Sequence, residues 1–186
     1  MKRLVLSLLG LAAAAACSGS TPTEPTTFTV PLVASPRVGG PLSSTHLGGE
    51  HEVPANASQA QGQAILTVSE DGLSISYKLI ASNIENVIQS HIHIAPAGVN
   101  GPVVVFLYGL VPPGAGRHDG VLSEGTFTAA NLIGPLAGHP LRDLLDAIVA
   151  GNAYVNVHTN DGIAPTNTGP GDLAGGEIRG QIKAKR

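Results

Sequence analysis

Two strand-like runs, "GQAILTVS" and "LSISYKLIAS", meet at Glu70-Asp71-Gly72. Asp-Gly between such runs specifies a hairpin, because Gly accepts the positive φ that a tight turn demands. In the second run Leu73, Ile75, Tyr77 and Leu79 share one parity, and Ser74, Ser76 and Lys78 take the other. A period of two marks a strand with one buried face. The same punctuation recurs along the chain, where 24 Gly and 14 Pro fall between short apolar runs. Further strands are expected at Val87–Ala95, Val103–Tyr108 and Val121–Thr128, and in "NAYVNVHTN" and "GGEIRGQIKA". "FTVPLV" at Phe28–Val33 offers another short one. One segment has helical periodicity. In "HPLRDLLDAIVAG", about 140–150, Leu141, Leu144, Leu145 and Ile148 share a face. Pro140 suits the first helical position and Gly151 the C-terminal cap. With 3% aromatics and no Trp, the core is left to Val, Leu, Ile and Ala. The expected class is mainly β: an antiparallel β-sandwich or flattened Greek-key barrel of about seven to eight strands with one short α-helix.

The N-terminus reads as an address. "MKRLVLSLLGLAAAAAC" has a basic start at Lys2 and Arg3, an apolar stretch from Leu4, then small residues up to Cys17. This is the form of an export signal, and its apolar run is shorter than the roughly 20 residues a spanning helix needs. Cys17, the single cysteine, stands where a bacterial lipoprotein carries its acylated cysteine. "AAAC" resembles that lipobox, with Ala14 where Leu is usual. Residues 1–17 are therefore expected to be a lipoprotein-type signal peptide that tethers the chain to the membrane of the cell envelope through Cys17. The alternative is an ordinary signal cut near Ala16, leaving a free thiol. Residues 18–41, opening "SGSTPTEPTT", are too polar and Pro-rich to bury a core and are expected to form a flexible tether. The domain proper is expected over 42–186. Loss of Lys2 and Arg3 takes the basic count from 10 to 8 against 13 acidic residues, a net charge of −5 with His neutral. A charged surface for nucleic acid is not expected.

Strand parity places the chemistry-bearing residues. In "SHIHI", His91 and His93 share a face, their Cα atoms about 6.6 Å apart at a rise of roughly 3.3 Å per residue. In "AYVNVHT", Tyr154, Asn156 and His158 oppose Val155 and Val157. In "GEIRGQI", Glu177, Arg179 and Gln181 oppose Ile178 and Ile182. If these strands are neighbours, His91, His93 and His158 converge on one polar patch with Tyr154, Asn156, Glu177 and Arg179. Imidazoles at such spacing can share a metal ion, copper or zinc, with nitrogens about 2.0–2.1 Å from a zinc-like centre. Histidine also bonds well to Asn, Glu and main-chain groups, so a purely structural role stays open. His46, His51, His118 and His139 sit in turns or loops and are assigned no role.

Four motifs in order, "GGEHEVPA", "HIHIAPAGVNGPVVVFL", "AGNAYVNVHT" and "GGEIRGQI", resemble the CHRD domain family, from about Leu42 to Ile182. The resemblance implies an extracytoplasmic β domain with no established catalytic activity. One departure is the long segment Asn160 to Gly175, where the family has a very short loop. The order "HIH", "NVH", "EIRG" is also similar to copper–zinc superoxide dismutases. That similarity would put copper ligands at His91, His93 and His158, but no dense His/Asp zinc loop follows the first pair. The chain has no G-x-S-x-G elbow, Walker loop or H-E-x-x-H helix. The expected function is a non-enzymatic, membrane-tethered binding module for a protein, polymer or small ligand. The alternative is a metal-binding protein using the His-x-His plus His site.

Overall fold

The computed structural model describes residues 39–185. The expected signal at 1–17, Cys17, most of the expected tether and the strand expected at Phe28–Val33 lie outside the described residues. Eight strands form one antiparallel sheet: β1 (Gly40–Gly48), β2 (Gln61–Val68), β3 (Ser74–Glu85), β4 (Val87–His93), β5 (Val103–Gly109), β6 (Arg117–Thr128), β7 (Tyr154–Thr159) and β8 (Ile178–Gln181). Their order is β5-β4-β7-β8-β1-β2-β3-β6. The two outer strands approach each other through side chains. Tyr77 Oη and Ser123 Oγ donate to the Leu107 carbonyl at 2.8 and 2.7 Å. The result is a nearly closed barrel rather than two separate sheets.

β1 begins at Gly40, two residues before the domain boundary expected at Leu42. The Asp-Gly hairpin forms as its chemistry demands. Gly72 has φ 71°, and Asp71 Oδ1 accepts from Ser69 Oγ and the Leu73 amide. Leu73 departs from its expected parity and is 67% exposed, because the turn ends on it and β3 starts at Ser74. β6 starts four residues earlier than expected, at Arg117, extending the pairing with β3.

Apolar residues of alternate parity fill the barrel: Leu47, Leu66, Leu79, Ile92, Val105, Val155, Val157, Ile178 and Ile182 all belong to one core. The helix α1 (Leu141–Val149) adds Leu141, Leu144, Leu145 and Ile148 to it. Pro140 serves as its N-cap rather than its first turn, and Gly151 follows the last turn at φ 75°. Gly180 lies where β8 meets β1: a Cβ there would collide with the His46 carbonyl. The junction needs glycine for space, not for a special φ.

Two register shifts in the β4–β5 pair leave Leu107 and Val104 of β5 without a partner on β4. Bulges bend a strand and free main-chain groups for other uses. Here the freed Leu107 carbonyl takes Tyr77 and Ser123, and the Val104 carbonyl accepts the Ile133 amide at 2.9 Å. The bulges thus turn the outer edge of β5 toward the closing seam.

Candidate metal centre

The three strands whose parity suggested a polar patch are neighbours. β4 pairs with β7, placing His91 opposite Asn156, His93 opposite Tyr154 and Gln89 opposite His158. β7 pairs with β8, placing Asn156 opposite Arg179. The histidines therefore meet on the outer face of the sheet, away from the apolar core. One ring nitrogen from each of His91, His93 and His158 lies within 4.8 Å of the others.

The patch is not a surface. His91, His93 and His158 are 3%, 8% and 7% exposed, and Tyr154, Asn156 and Arg179 are also buried. β7 is buried on both faces along its whole length. Connecting segments form the cover. Residues 94–102, between β4 and β5, fold back over β7 and β8. Arg179 donates to the Val99 carbonyl at 2.8 Å and to Asn100 Oδ1 at 3.1 Å. Gln181 Nε2 donates to the Ala95 carbonyl at 3.0 Å, and the Gly101 amide donates to Tyr154 Oη at 3.2 Å. The long segment before β8 closes the other side through Ala174.

That cover also fixes the imidazoles. His93 Nδ1 donates to the Gly101 carbonyl at 2.8 Å, and His158 Nδ1 donates to the Ala174 carbonyl at 2.9 Å. A neutral imidazole has one hydrogen, so both rings are left with a lone pair on Nε2. Such main-chain acceptors are the usual second-layer partners of metal-bound histidines, setting tautomer and orientation. His91 Nδ1 lies 3.2 Å from His158 Nε2, placed to donate to its lone pair, and Asn156 Oδ1 stands 3.0 Å from the same nitrogen. His93 Nε2 is buried with no hydrogen-bond partner. Unpaired buried nitrogens are uncommon because they forfeit hydration without compensation.

All three histidines are held neutral. Burial pushes His91 down to about 3, with repulsion from His158 and His93 adding to it. Burial likewise lowers His158 to about 4, against the opposing pull of the Ala174 carbonyl. His93 is lowered too, chiefly by burial, with Arg179 contributing. Three neutral imidazoles with available lone pairs are the donor set that copper and zinc accept. The 3.2 Å separation of the His91 and His158 nitrogens matches the edge of roughly 3.3 Å in a tetrahedron built on bonds of 2.0–2.1 Å.

A stack adjoins the triad. The Tyr154 ring lies on His93 at 4.7 Å and 8°, and the Arg179 guanidinium lies 3.4 Å over the centre of that tyrosine. Phe106 meets His91 edge-on at 4.5 Å. Glu177 does not join the group. Its carboxylate accepts from Ser58 Oγ and Thr159 Oγ1, both at 2.6 Å, and from the Gly171 amide at 2.9 Å. It is fully buried, as is Arg179, so the two are no surface charge pair. The long segment supplies the glycine amide and draws Glu177 out of the patch.

Glu52 carried no signal in the sequence beyond its place in "GGEHEVPA". Glu50 and His51 are exposed, as a turn requires, but Glu52 is buried against Gly176, and its Oε1 has no partner. Burial raises its pKa to about 7, outweighing the pull of Arg179.

A nearly closed antiparallel barrel, with a buried polar constellation on its outer face, defines a small, mainly β domain. The chain belongs to the CHRD domain family, whose model matches residues 43–182. Domains of this family are typically extracellular binding modules. No helix among the described residues is long and apolar enough to cross a membrane. No curated protein and no solved structure matches the chain.

Proposed function

We propose that this CHRD domain is an exported binding module whose ligand is a metal ion, copper or zinc, held by His91, His93 and His158. The observation that carries the reading is the convergence of the three ring nitrogens around a buried His93 Nε2 that nothing else satisfies. Gly101 and Ala174 would orient two of the ligands through their carbonyls, and Asn156 would flank the third side. The domain works outside the cytoplasm, anchored through Cys17. The basic start, apolar stretch and small residues before that cysteine support this, as does the Pro/Thr-rich segment after it.

Calorimetric titration of the purified protein with Zn(II) and Cu(II) tests the metal reading. The expected result is one ion per chain, lost in the His91→Ala, His93→Ala double variant. No uptake by the folded protein of Zn(II), Cu(II) or, under reductant, Cu(I) overturns it, as does unchanged uptake by the double variant. Should that variant not fold, imidazole-nitrogen coupling in the Cu(II) spin-resonance spectrum of the unaltered protein replaces it. Absence of that coupling counts equally against the site. For the anchor, Cys17→Ser is expected to abolish incorporation of labelled fatty acid.

A cleft lined by Ser58, Gln59, Asn83, Glu85 and Gly171, with Glu177 in its wall, favours a second reading, a small polar ligand. The polar face around the histidines does not suit display to a large partner, because the connecting segments cover it.

A further inference from the structure

The proposed centre consists of three uncharged ligands. No carboxylate or thiolate belongs to the converging set. A bound ion would therefore keep its full charge, and the surroundings decide what that costs. A fixed positive charge, Arg179, stands beside the site. It is 1% exposed and separated from His93 by the single ring of Tyr154. Through that stack its field reaches the site at short range.

Little offsets that charge. The hydrogen bonds of Arg179 go to neutral groups: Asn100 Oδ1 and the carbonyls of Val99 and Pro96. Glu177 is turned away and engaged by Ser58, Thr159 and Gly171. Glu52 feels Arg179, but burial favours its neutral form. The ion would thus sit in a buried, net-positive environment. Burying an ion costs in proportion to the square of its charge, about four times more for a dication than a monocation. Repulsion from Arg179 doubles with the same step. Imidazole accepts copper and zinc alike, so ligand type does not choose between them.

We propose that the histidine site selects monovalent copper over Cu(II) and Zn(II), with the buried Arg179 as the specificity-determining charge. The inference rests on the metal reading above and deepens it.

Competition titrations against chelators test it. Cu(I) is titrated anaerobically with reductant, and Cu(II) and Zn(II) are each titrated separately. The expected result is Cu(I) bound at least about 100-fold more tightly than either dication. Arg179→Gln is expected to narrow that ratio by at least about tenfold, while Arg179→Lys, which keeps the charge, preserves most of it. A dication bound as tightly as Cu(I) overturns the selectivity while leaving the metal site standing. Failure to bind any of the three ions overturns the site itself. Should Arg179→Gln not fold, Glu52→Gln serves in its place, because Oε1 makes no hydrogen bond that the change would break. At pH 8.5, well above the pKa of this acid, its removal is expected to widen the ratio. A narrowed or unchanged ratio counts against control by the Arg179 field.

Discussion

His93 has one hydrogen and two nitrogens to carry it. The Gly101 carbonyl settles the choice in favour of Nδ1, and burial leaves Nε2 with nothing to accept. At the residue scale, then, a main-chain oxygen eight positions along the chain prepares a lone pair. The same neutrality sets a pH dependence. The folded-state pKa values of His91 and His158 are depressed to about 3 and about 4, below the ordinary 6.5. Between those limits the unfolded chain binds protons that the native protein refuses. Stability is therefore fully present above pH 6.5 and is lost as pH falls toward the folded values. Each of the two is expected to cost at most about 2 kcal/mol at pH 5. Urea midpoints of the metal-free protein at pH 7.5 and pH 5 check this. His158→Gln should flatten the dependence, and an equal slope in that variant would remove His158 as a cause of it. The grouping of His91, His93, Asn156 and His158 was legible, because strand parity is a local property. Glu52 was not, since its burial depends on Gly176, more than a hundred residues away in sequence.

At the scale of elements, β8 does much with four residues. Ile178 enters the core, Arg179 holds down the 94–102 segment, and Gly180 admits the backbone of β1. Glu177 helps anchor the segment before it, beside the bonds from Asn86 to the Gly171 carbonyl, from His158 to the Ala174 carbonyl and from the Leu173 amide to Thr159. Glu177 accepts three hydrogen bonds, from Ser58, Thr159 and Gly171. Glu177→Gln keeps the shape but turns an amide NH2 toward groups that donate. It is expected to cost about 2–3 kcal/mol, since bonds to a charged acceptor are among the stronger ones. Urea denaturation measures the loss, and limited proteolysis should show faster cleavage within residues 160–176. Unaltered stability and cleavage would mean that the segment is held by other groups. The length of this segment was plain from the sequence. What it does was not, because its anchor depends on Ser58 and Thr159 lying beside Glu177, and no spacing rule expresses that.

At the scale of the whole molecule, the barrel closes without a ladder of main-chain bonds between β5 and β6. Two hydroxyls, Tyr77 Oη and Ser123 Oγ, share the Leu107 carbonyl instead. Tyr77→Phe removes one of them and is expected to cost about 1 kcal/mol. Amide hydrogens of β5 should then exchange faster than those of β2, which has partners on both sides. Equal exchange in the variant and the unaltered protein would show that the seam does not depend on Tyr77.

Alternation, Gly/Pro punctuation and one helical stripe were enough to determine an antiparallel β domain and the side of each strand its residues occupy. Four ordered motifs were enough to determine its family. Those properties are local, written in neighbouring residues and in the stereochemistry of turns. Only the tertiary structure decided that the polar face is buried, that Glu177 leaves the histidines for Ser58 and Thr159, and that Arg179 stacks over Tyr154 beside them. Each of those outcomes depends on segments distant in sequence folding back over the sheet, and hydrogen bonds between such segments leave no periodic trace in the chain.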